Sequence, residues 1–151
     1  MQKKATLIIV ILALAVVGAF YWYEDEIKGY PPPWQDVAQQ KVGLIRLKTP
    51  LPNDIISSPL TITGEARGYW YFEASFPIFL VDWDGKIIAQ GIAQAKDNWM
   101  TEEFVPFEAT LTFAPDPNAY SNRGALILKK DNPSGLPEHD DALEIPVLFV
   151  Q

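Results

Sequence analysis

Two short stretches gather side chains that could do chemistry. "DWDG" at 82–85 sets Asp82 and Asp84 two residues apart, like half of a calcium loop whose carboxylates share a hard cation. Lys86, Ile87 and Ile88 follow and bring no further oxygen ligand, whereas Asp84-Gly85 between two apolar runs is a strong hairpin signal. The turn is the reading adopted. "PEHDDA" at 137–142 sets the one histidine, His139, beside Glu138, Asp140 and Asp141. It lies within "DNPSGLPEHDD", a run of turn-forming residues, and reads as a solvated acidic loop rather than a metal site or pH sensor. Ser57, Ser58 and Ser134 have no nucleophile elbow around them, and nothing marks His139 as their base. Asn132-Pro133-Ser134 is spoiled as a glycosylation acceptor by its proline. No phosphate-binding loop is present. The sequence therefore offers no catalytic, cofactor-binding or metal-ligating set, calls for no cofactor, and does not read as an enzyme.

Composition narrows the field further. The chain has 151 residues, no cysteine and one histidine, which excludes disulfides, zinc thiolates, thiol nucleophiles and multi-histidine metal sites. Its formal net charge is -7. Such a chain repels phosphate backbones, so no nucleic-acid partner is expected.

The N-terminal segment is set apart from the rest. Lys3 and Lys4 precede Ala5 to Tyr23, a run without charge that would span roughly 28 Å as a helix, close to a bilayer's hydrocarbon thickness. Phe20, Tyr21, Trp22 and Tyr23 form an aromatic belt, and Glu24, Asp25 and Glu26 follow. Lysines before and acids after predict a single-pass anchor, N-terminus cytoplasmic and the remainder extracytoplasmic. The competing reading is a signal peptide cleaved after Val17-Gly18-Ala19, which would leave a secreted domain. Residues 1–4 are then a cytoplasmic tip, 5–23 the membrane contact, and 24–41 a linker. "GYPPPW" stiffens that linker as a spacer, a reading preferred over an SH3-type ligand because the segment is extracytoplasmic.

The domain, 42–151, must position whatever function the chain has, and its pattern is all-β. "VGLIRLKTP", "PLTITGEA", "GKIIAQGIAQA", "FVPFEATLTF", "GALILKK" and "ALEIPVLFV" each read as strands, and the stretch 64–83 supplies a third and a fourth in chain order. Val105, Phe107, Ala109, Leu111 and Phe113 give the clearest alternation. Short strands separated by Gly and Pro turns predict a β-sandwich of about seven to eight strands, held by apolar packing alone.

The stretch "GEARGYWYFEASFPIFLVDW" at 64–83 poses the sharpest question, because Tyr69, Trp70, Tyr71 and Phe72 stand side by side. Counted by twos, Trp70, Phe72, Ala74, Phe76, Ile78 and Leu80 share one register and Tyr69, Tyr71, Glu73 and Ser75 the other. This predicts Trp70 and Phe72 inward, Tyr69 and Tyr71 outward, and a bend or bulge near Glu73–Pro77, where the chain passes to the other sheet. Tyr69, Tyr71 and Trp99 are then candidate surface contacts, and a glycan is a possible ligand if two or more of their rings are exposed and coplanar.

Several segments together resemble a known family. "SSPLTITGEAR", "FEASFPIFLVDWDGKIIAQGIA", "FVPFEATLTF" and "GALILKKDNPSGLPEHDDALEIPVLF" look like the immunoglobulin-like domain of bacterial spore germination, the second of the domains found beside GerMN domains. The resemblance covers roughly residues 43–150. Its signposts are Ser58-Pro59-Leu60, Gly64-x-Ala66, Phe72-Glu73-Ala74, Asp84-Gly85 and Ile145-Pro146-Val147. Within it, Phe72-Glu73-Ala74 is expected to lie in the strand before the crossover. The resemblance implies an immunoglobulin-like sandwich in a cell-envelope protein with a binding or structural role and no catalytic residues. The partner implied is another envelope protein. The first strand, "VGLIRLK", and the last, "ALEIPVLFV", are expected at sheet edges, where a partner strand could add.

Overall fold

A computed structural model describes residues 39–150 of the chain. The anchor expected at Ala5–Tyr23 and most of the linker lie outside these residues. Among the described residues no helix is long and apolar enough to cross a membrane.

Eight strands form: β1 (Ile45–Thr49), β2 (Ile55–Ile56), β3 (Leu60–Arg67), β4 (Ser75–Asp82), β5 (Ile87–Ala95), β6 (Phe104–Leu111), β7 (Arg123–Lys129) and β8 (Ala142–Phe149). They hydrogen-bond in the order β1-β3-β6-β5-β4-β7-β8-β2. The period-2 alternation seen in the sequence becomes burial. Val105, Phe107, Ala109 and Leu111 of β6 are all buried, as are Leu60, Ile62 and Ala66 of β3. Residues i, i+2 and i+4 of a strand line one face, so one apolar set per strand fills the interior.

The sheet curls at one seam. Only Gln94 with Glu108 and Ala95 with Phe107 join β5 to β6, whereas β4 and β5 pair along their length. The β1–β3–β6 half thereby folds over the β5–β4–β7–β8–β2 half, and their inner faces share one core. Phe76 of β4 meets Phe107 of β6 edge-on, with centroids 5.0 Å apart. The buried side chains of the described residues are all aliphatic or aromatic.

Two expectations about strands need correction. β8 is not an edge strand, because β2 runs parallel to it, pairing Ile55 with Leu148 and Ile56 with Phe149. β2 was not foreseen: two residues between prolines carry no periodic signal. Among the described residues β1 does lie at an edge, pairing with β3 alone.

Candidate functional site

The segment after β3 settles the aromatic question. Residues Gly68–Trp70 form a single 3-10 turn, closed by Tyr71 N–H donating to the Gly68 carbonyl at 3.2 Å. Only glycine fits at 68: a Cβ there would stand 1.8 Å from the Thr101 carbonyl oxygen and 2.3 Å from that of Trp99. Such a turn breaks the strand's twofold alternation, so neighbours in sequence can face the same way. Trp70 is fully buried, and Tyr71, only 4 % exposed, is buried beside it. Tyr71 was expected outward; it is inward. Phe72 was expected inward; it is 42 % exposed. Tyr69 is exposed, as its register predicted.

Tyr71 is fitted to this place. Its hydroxyl donates to the Val105 carbonyl at 2.7 Å, and its ring lies 5.2 Å from that of Phe76. Burial pushes the phenol pKa well above its ordinary value, and the negative charge of Glu65 adds to the shift. Trp99 is half-buried and packs against the core. The three candidate contacts therefore do not share one exposed surface. A shallow hollow of about 280 Å³ does border Tyr69, Phe72 and the little of Tyr71 that is exposed, and is lined also by Lys130, Asn132 and His139.

The bend expected near Glu73–Pro77 is a two-residue reversal. Phe72 and Ser75 exchange backbone hydrogen bonds at 3.0 and 3.1 Å, and between them Glu73 and Ala74 stand at φ 48° and 63°. Phe72-Glu73-Ala74 is thus a turn and not part of a strand. It carries the chain from β3 in one half of the sheet to β4 in the other. The stretch 64–83 supplies one new strand, β4, where two were expected, because the 3-10 turn and this reversal occupy residues 68–74.

The acidic stretches hold turns. Asp82 Oδ1 accepts the backbone N–H groups of Asp84 at 3.0 Å and Lys86 at 2.9 Å, and Gly85 takes φ 78°. The carboxylate that half a calcium loop would supply thus shapes the β4–β5 hairpin. In the 130–141 loop, Asn132 donates to Asp140 Oδ1 at 3.0 Å and to the Leu136 carbonyl at 2.8 Å. Asn132 and the Lys129 ammonium hold the Asp140 carboxyl below its usual pKa. Lys41 pairs with Asp141, tying the start of the described chain to this loop. Among the described residues no three His, Cys, Asp or Glu side chains gather as metal ligands.

Ser58 and Ser134 serve structure. Ser58 Oγ accepts the Phe113 N–H at 3.0 Å, and Ser134 donates to Asn132 Oδ1. Ser58 precedes β3 at the end where Leu60 pairs with Leu111, while His139 precedes β8 at the opposite end.

Sequence reasoning missed a further exposed pair. Trp83, at the hairpin tip, and Tyr120, 89 % exposed, bring their rings to 5.5 Å. A tryptophan directly after the last strand residue of a two-sided turn cannot reach the core. That was the available signal for Trp83; Tyr120, in a loop, had none.

The family model of the immunoglobulin-like domain of bacterial spore germination matches residues 44–135, from the residue before β1 to the turn at Gly135. The chain belongs to this family. Neither a curated protein nor a solved structure matches it. In this member of the spore-germination immunoglobulin-like family, two of the signposts, Gly64-x-Ala66 and Asp84-Gly85, mark places where geometry favours the residue present. A Cβ at Gly64 would lie 2.3 Å from the Arg46 carbonyl oxygen and 2.7 Å from the Phe107 ring, and Ala66 is fully buried. Asp84-Gly85 closes the hairpin. These positions build the fold and, by themselves, name no ligand.

Proposed function

We propose that the chain is a membrane-anchored binding module of the bacterial cell envelope, displaying its immunoglobulin-like domain outside the cytoplasm to another envelope protein. It binds a partner rather than turning over a substrate. The observation that carries the reading is the open edge of β1. Among the described residues Ile45–Thr49 hydrogen-bonds to β3 on one side only, so its other side offers backbone donors and acceptors to an added strand. Arg46 and Lys48, both exposed, guard this edge against indiscriminate pairing. The uncharged run Ala5–Tyr23 supplies the anchor and the proline-stiffened linker the spacing.

A photo-crosslinking residue at Lys48 in the full chain, activated in intact cells, tests this. The expected adduct is one envelope protein, missing when the probe stands at Thr110 on the outer face of β6. Glycan adducts alone would favour carbohydrate binding, and equal labelling from both positions would remove β1 as the contact.

A further inference from the structure

The two halves of the sheet turn unlike outer faces to solvent. On the β1–β3–β6 half most charges are paired within the face, Lys48 being the exception among the described residues. Arg46 pairs with Glu65 at 2.9 Å and Lys96 with Glu108 at 3.3 Å, while Arg46 and Arg67 both lie on the Phe104 ring, 3.9 and 4.1 Å from its centre. Such a face needs no cover.

The β5–β4–β7–β8 half is different. Its register sets Ile87, Val81, Ala125 and Pro146 in one outward row and Gln90, Phe79, Ile127 and Glu144 in the next. Ile92, 58 % exposed, extends this face at one end, and Ile55, 70 % exposed, beyond Leu148 at the other. A sheet with one solvated face ordinarily alternates apolar and polar residues; strands apolar on both faces are usually covered on both.

Two charges on this face, Arg123 and Glu144, pair with no charge among the described residues. They line one depression of about 460 Å³, with Val81, Asp82, Trp83, Tyr120 and Ala125 around it; Asp82 there is engaged by the backbone N–H groups of Asp84 and Lys86. Arg123 stands opposite Leu148 and Glu144 opposite Ile127, so they are four residues apart along the strands, about 13 Å. They are too distant to bridge each other, and the Ala125–Pro146 row lies between them.

We propose that this face docks against the same face of a second copy of the chain, about a twofold axis passing close to Ala125. A twofold axis makes an interface self-complementary: Arg123 meets the partner's Glu144, and Glu144 meets the partner's Arg123. The face carries its own complement, an apolar field with one acid and one base disposed across its centre. Charge points the same way. Copies with a net charge of -7 repel one another, and Arg123 offsets acidic charge on this face and so lessens that repulsion. The inference does not rest on the proposed function. β1 stands at the far end of the strand order, and its edge stays open in such a dimer.

The chain has no cysteine, so a single introduced one reports contact cleanly. Sheets packed face to face lie about 10 Å apart, beyond the Cα separation a disulfide spans, so a short bis-maleimide is the probe. In the full-length chain expressed in whole-cell culture, cells and medium together, Ala125→Cys is expected to crosslink to a dimer and Thr110→Cys, on the other outer face, to remain monomeric. Arg123→Glu and Glu144→Arg, each added to Ala125→Cys, should lower the dimer fraction severalfold, and the two together should restore it. Monomer throughout, equal crosslinking from both cysteines, adducts with a different protein only, or a double reversal no better than the single ones would each overturn the proposal.

Discussion

Tyr71 shows how one residue can answer a question that its neighbours leave open. Its ring completes an aromatic chain with Phe76 and Phe107, and its hydroxyl keeps a bond to the Val105 carbonyl inside the core. Removing only the hydroxyl, in Tyr71→Phe, is expected to cost about 1 kcal/mol, the net worth of an ordinary hydrogen bond. Tyr71→Ala should cost about 3–5 kcal/mol, the loss of a large buried aromatic, and Tyr69→Ala no more than about 0.5 kcal/mol. Urea midpoints check the order; a Tyr69 variant weaker than the Tyr71 variants would contradict it. The raised phenol pKa adds a pH signature. The folded state disfavours the phenolate, so this contribution is fully present below the unfolded tyrosine value of about 10. It is lost as pH rises above that value, because the unfolded chain releases the proton first. Alkaline unfolding of the native chain should therefore be steeper than that of Tyr71→Phe.

At the scale of elements, alternation was legible and its interruption was not. β6 and β3 could be read residue by residue, because burial on one face forces the period of two. The segment 68–74 could not. A 3-10 turn that depends on Gly68 having no Cβ beside the Thr101 and Trp99 carbonyls is decided by a strand connection thirty residues on. That turn shifts the phase, placing both Trp70 and Tyr71 inward and leaving Phe72 outside. The reversal that follows holds two non-glycine residues at positive φ, where side chains crowd the backbone. Ala74→Gly relieves one of them and is expected to raise stability by up to about 1 kcal/mol, seen as a higher urea midpoint at unchanged slope. A lower midpoint would mean that the turn is held by contacts that outweigh its backbone.

For the molecule as a whole, the proposed reading joins an anchor to a displayed domain. Lys41, bound to Asp141, fixes the end of the domain at which the preceding chain arrives: the end bearing Tyr69, Phe72 and the 130–141 loop. Trp83 and Tyr120 stand at the other end. Cell fractionation with sequencing of the mature N-terminus should find the chain in the membrane fraction beginning at Met1 to Lys3. A soluble product beginning near Phe20 would replace the anchor with a cleaved signal peptide and leave a secreted domain.

The sequence alone determined the all-β class, seven of the eight strands, the Asp84-Gly85 hairpin and the family. Each is written in local chemistry: periodic apolar residues, turn formers and short motifs at set spacing. Tertiary structure decided which aromatics are buried, that β2 covers the outer edge of β8, and that one outer sheet face is apolar while the other pairs most of its own charges. These depend on residues far apart in the chain meeting across strands. The near-continuous apolar runs "SFPIFLV" and "IPVLFV" read only as strands until register assigned half of their side chains to the outside.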